Sequence, residues 1–127
     1  MSNEEDIPID IEAGKIQVGD SEMFITMMGN FESMTLDKNL LGLKMGFDSK
    51  NWKNVKEEAH SLKGASAYLC ATKLTKLAED MQFAVQNQEI EKLRSLYPEL
   101  IKESIKVKLF IKKYFAEQSS ILKRKII

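Results

Sequence analysis

Apolar residues recur at steps of three and four along most of this chain, and little interrupts them. Six glycines and two prolines are the strong breakers in 127 residues, and no stretch alternates apolar and polar residues long enough to read as a strand. A chain patterned at the helical period over its length buries its apolar side chains by packing helix against helix.

The pattern divides at turn residues. A short helix is expected near Pro8, with Asp10 and Glu12 at the positive end of its dipole. Gly19 and Asp20 break the chain, and Asp20 or Ser21 suits the next N-cap. From Glu22 to about Phe47, Phe24, Met27, Met28, Phe31, Met34, Leu40, Leu41, Leu43 and Met45 keep helical spacing, with a bend expected over residues 35–37. A turn at 48–50 precedes a third helix from Asn51 to about Cys70, and a fourth runs from Thr72 to about Val85. The last helix follows the Asn87–Gln88 turn and reaches about Ala116. Pro98 inside it either kinks it or begins a renewed helix. The expected fold is all-α, an antiparallel four-helix bundle with an additional short N-terminal helix. The chain divides into a flexible tail at 1–7, one helical domain at 8–117 and a basic extension at 118–127.

Composition excludes several function classes. Nineteen basic side chains balance nineteen acidic ones, which argues against a nucleic-acid binder. Cys70 is the single cysteine, so no disulfide forms within the chain and a reducing compartment is expected. The start, MSNEEDIPID, lacks the order of a signal peptide, and no apolar run approaches the ~18 residues of a membrane span. A monomer in the cytoplasm or nucleus is expected.

The most informative stretch is AHSLKGASAYL, residues 59–69, which holds the sole histidine. At about 100° per residue, Trp52, Val55, Ala59, Leu62, Ser66 and Leu69 form the core stripe of this helix. His60 lies roughly 140° from the centre of that stripe. It shares the outer face with Lys56, Gly64 and Ala67, with Lys63 one turn away toward the flank. A mid-helix glycine costs about 1 kcal/mol relative to alanine. Small residues beside an exposed imidazole admit the close approach of another protein, or alternatively make space for a neighbouring helix. Neutral imidazole is a good nucleophile near neutral pH, and a nearby ammonium stabilises a phosphoryl group placed on it. With one histidine and a distant cysteine, a metal site is disfavoured. Ser61 and Ser66 lack the setting of a catalytic triad.

The segment AHSLKGAS resembles the signature of histidine-containing phosphotransfer (HPt) domains, the relay modules of multistep two-component signalling. The likeness extends to GDSEMFITMMGNF, FDSKNWKNVKEEAHSLKG and KLTKLAEDMQFAV, and covers roughly residues 10–115. It implies that His60 is the phosphoacceptor, that Lys63 supplies positive charge to the phosphoryl group, and that Gly64 opens the face. It implies that Gln82 orients the imidazole; as a residue alone, Gln82 reads equally as a solvated helix position. Where the family commonly has glycine ten residues after the histidine, this chain has Cys70, which bears on the helix end and not on the chemistry.

The resemblance implies a phosphorelay intermediate that takes a phosphoryl group from the aspartate of one response-regulator receiver domain and passes it to another. Mg²⁺ and most catalytic groups would reside on the receiver, and no cofactor on this chain. The implied partners are receiver domains and a sensor or hybrid histidine kinase. No P-loop or nucleotide-binding glycine loop is visible, so a kinase of its own is not expected. The alternatives are a module phosphorylated within a hybrid kinase, or an adaptor that binds receivers without carrying phosphate. For docking, Gly64 and Ala67 on the histidine's face are expected to be rimmed by a selection from Met27, Met28 and Phe31, the rest of which fill the core.

Overall fold

The computed structural model describes residues 7–126, all of whose regular elements are helical. Helix α1 (Ile11–Val18) begins at Asp10, whose carboxylate accepts from the Ala13 N–H at 3.1 Å. It ends at Gly19, where φ of +83° turns the chain at no steric cost. Asp20 caps α2 (Ser21–Asn30) in the same way, through the Met23 N–H at 3.0 Å.

The rod from Ser21 to Asp48 does not break. It passes from α2 through one π turn (Phe31–Thr35) into α3 (Leu36–Asp48). The cause lies in the spacing of buried residues. Phe24, Met28 and Phe31 are buried at steps of four and three, and the next is Leu36, five residues on. An α turn would rotate Leu36 away from the core. A π turn, with the Leu36 N–H donating to the Phe31 carbonyl, absorbs the extra residue and keeps both halves on one face. The expected bend at 35–37 is therefore a change of winding that starts at Phe31. Met34, Leu41 and Met45, which share the helical spacing, stand 65, 60 and 60% exposed.

Helices α4 (Trp52–Tyr68) and α5 (Thr72–Gln86) form a tight antiparallel pair, with α3 on the other side of α4 and α6 against α5. The expected core stripe of α4 holds: Val55, Ala59, Leu62, Ser66 and Leu69 are buried, and Trp52 is half-buried against Phe47, which stacks on Tyr97 at 4.3 Å. On the α3 side, Asn39 donates from Nδ2 to Glu58 Oε2 at 2.9 Å and Ser61 Oγ at 3.3 Å. Close approach at Gly46 lets α3 meet Val55, whose Cγ2 lies 2.7 Å from where a Cβ would stand.

Three helices end alike. At the ends of α3, α4 and α5 the residues Lys50, Cys70 and Gln88 adopt φ of 54°, 55° and 59°. In each case the following N–H reaches back to a carbonyl five residues earlier: Asn51 to Gly46, Ala71 to Ser66 and Glu89 to Ala84. These are Schellman caps built without glycine. Cys70 thus keeps the turn that glycine makes in the resembling family, in a left-handed conformation unfavourable to a side chain.

Helix α6 (Ile90–Ile126) runs through Pro98, so no renewed helix begins there. Lys108 and Lys112 tie it to the rod, through Asp37 at 2.8 Å and Glu32 at 2.9 Å. The helix continues past Ala116, its expected end, and residues 118–126 are an exposed helical overhang. No helix among the described residues is long and apolar enough to cross a membrane.

Candidate functional site

His60 sits on the outer face of α4, exposed to solvent, while its neighbours Ala59 and Leu62 are fully buried. The register of α4 is fixed by that core stripe and by Ser66, whose hydroxyl is 2.8 Å from Thr75 Oγ1 on α5. The imidazole is consequently held outward, and α5 supplies its nearest polar partner. Gln82, half-buried, places Oε1 3.4 Å from His60 Nδ1. In the neutral tautomer protonated at Nδ1, that N–H donates to the Gln82 oxygen and the lone pair lies on Nε2.

Lys63 lies on the α5 flank and pairs with Glu79, Nζ to Oε2 at 3.6 Å, each side chain about one-third exposed. Such a pair at the surface is worth little in stability, and it divides the lysine's charge between two sites. Beyond the ring, a cleft of about 400 Å³ opens, lined by Lys53, Lys56, Glu57, His60 and Gln82. Lys53 was not a candidate from the sequence. The available signal was spacing: His60, Lys56 and Lys53 share one face at i, i−4 and i−7.

Gly64 is exposed, and a Cβ built on it meets nothing within 4 Å. No described helix needs that space. Ala67, also on this face, is half-buried. The expected rim divides unequally. Met28 is fully buried in the core beside Phe24, so it cannot belong to a docking surface, and Phe31 at 3% exposure is largely core as well. The correction follows from the rod's core stripe, which takes the steps at 24, 28 and 31. Met27 is half-buried and lines a shallow groove of about 210 Å³ with Asn30, Phe31, Thr35, Ala65, Tyr68 and Leu69. Tyr68, 58% exposed, was not a candidate from the sequence. No three His, Cys, Asp or Glu side chains among the described residues are grouped to hold a metal ion.

The arrangement offers an exposed imidazole on a face free of bulk, with lysines on either side. A family model described as Hpt domain matches residues 27–107. The chain is 28% identical over 85 residues to "Phosphorelay intermediate protein rdeA" of Dictyostelium discoideum, an alignment covering 67% of this chain and 33% of that protein. It thus spans about a third of the length of that relative. No solved structure matches it significantly.

Proposed function

Because the chain belongs to the Hpt domain family, we propose that it is a phosphorelay intermediate whose His60 accepts a phosphoryl group from a receiver aspartate and delivers it to another receiver. The observation that supports this reading is the contact of His60 Nδ1 with Gln82 Oε1 on an exposed, unobstructed face, which suits Nε2 as the nucleophile.

In the proposed step the Nε2 lone pair attacks phosphorus of an aspartyl phosphate. The Nε2–P bond forms as the P–O bond to the aspartate breaks, and the carboxylate leaves with the electron pair. Nδ1 keeps its proton, so the ring becomes cationic, and Gln82 Oε1 is suited to hold that N–H. The lysines beside the ring offset the charge of the phosphoryl oxygens. Reversal against a second receiver completes the relay. Mg²⁺, on this reading, belongs to the receiver, and this chain contributes positioning and charge. The receiver's approach is assigned to the face of Gly64 and Ala67, with Met27 and Tyr68 at the rim of the adjoining groove. It follows that the chain acts without its own ATP-dependent kinase.

The deciding experiment is labelling from a phosphorylated receiver domain. Native protein should acquire an acid-labile, base-stable label and His60→Gln none, with helicity unchanged. Label retained by the variant, or label acquired from ATP and Mg²⁺ alone, would overturn the reading.

A further inference from the structure

We infer that Lys56, with Lys53 behind it, forms the anion-binding subsite that receives the phosphoryl oxygens on His60. This inference rests on the proposed phosphoacceptor role of His60 and concerns which cation serves it. Resemblance pointed to Lys63, yet Lys63 shares its charge with Glu79 at 3.6 Å on the α5 flank. The cleft beside the imidazole is bordered instead by Lys53 and Lys56. Among the described residues neither makes an ion pair.

Three features fit an oxyanion. Lys56 lines the same cleft as His60 and stands one turn before it on the same helix face. Cβ atoms so placed are about 5–6 Å apart, a span that a flexible four-carbon stem can cover. Gln82, across the ring at Nδ1, closes the side opposite a group bonded to Nε2 and also lines the cleft. The cleft's volume, about 400 Å³, admits a phosphoryl group together with water. Glu57 is the one carboxylate on the lining, so two ammonium groups exceed it by a single charge. That balance suits a group that must be held and then released, because a stronger clamp would retain it.

The subsite would take the anionic oxygens of a phosphoryl group, and its contribution should be electrostatic. The test compares Lys56→Gln, Lys63→Gln and Lys56→Arg for single-turnover phosphoryl uptake from a phosphorylated receiver, and for phosphohistidine half-life, at low and high salt. Lys56→Gln should lower uptake or half-life about three- to tenfold at low salt, the scale of one partly screened cation, and flatten the salt dependence. Lys56→Arg should restore both, and Lys63→Gln should cost less than Lys56→Gln. Circular dichroism and melting temperature should not move, which separates this role from a structural one. Native-like rates and salt dependence for Lys56→Gln, while His60→Gln remains unlabelled, would overturn the subsite and leave the phosphoacceptor standing. Label on His60→Gln would overturn the phosphoacceptor itself.

Discussion

Gln82 and Gly64 show how much one side chain, or its lack, decides at this site. The glutamine places its side-chain oxygen 3.4 Å from the imidazole Nδ1, a contact that crosses from α5 to α4. Gln82→Ala should leave folding intact and reduce phosphoryl transfer several-fold, because Nδ1–H then turns to water and Nε2 loses its fixed direction. Single-turnover kinetics with unchanged circular dichroism would check this. Gly64→Gln probes the open face. Glutamine is the better helix former by up to about 1 kcal/mol, and a side chain there has room. The melting temperature should hold or rise while receiver binding and transfer weaken. Stable protein with native binding would remove Gly64 from the docking surface.

At the scale of elements, the helix ends carry the stored strain. Lys50, Cys70 and Gln88 each hold a left-handed conformation that costs a side-chain-bearing residue about 1–2 kcal/mol. Replacing any one by glycine should stabilise the fold by about 0.5–1 kcal/mol, the relief being partly offset by glycine's freedom in the unfolded chain. Chemical denaturation of the three single variants measures it, and a loss of stability in all three would contradict the cap assignment. Cys70 adds a second element-level contact, its thiol donating to Gln17 Oε1 at 3.0 Å across to α1. Burial, followed by the nearby Asp10 charge, pushes its pKa up. The thiolate is thereby disfavoured, and alkylation should be slower than that of an unhindered cysteine near pH 8.

For the whole molecule, stability and overhang separate cleanly. Met28 is fully enclosed by the core, and Met28→Ala should cost about 2–5 kcal/mol. Residues 118–126 of α6 pack against nothing that buries them. Truncation after Glu117 should leave the midpoint of denaturation nearly unchanged, along with transfer from a phosphorylated receiver. A large loss of stability would show that the overhang is part of the bundle.

Helix geometry is local, so sequence alone determined the helical class, the break at Gly19, the buried stripe of α4 and the outward position of His60. The AHSLKGAS resemblance supplied the chemistry to look for. Relations between helices needed the tertiary structure. Spacing could not tell whether Gln82 meets His60 or only water, since that depends on the register of α5 against α4. Nor could it reveal that Glu79 engages Lys63, that Lys53 joins Lys56 in a cleft, or that Met28 and Phe31 belong to the core while Met34 does not. The last distinction turns on the five-residue step from Phe31 to Leu36, which a π turn accommodates by keeping both residues buried in one core. Schellman caps without glycine were equally illegible, because backbone bonds back to Gly46, Ser66 and Ala84 close each turn, while Lys50, Cys70 and Gln88 carry no glycine signal.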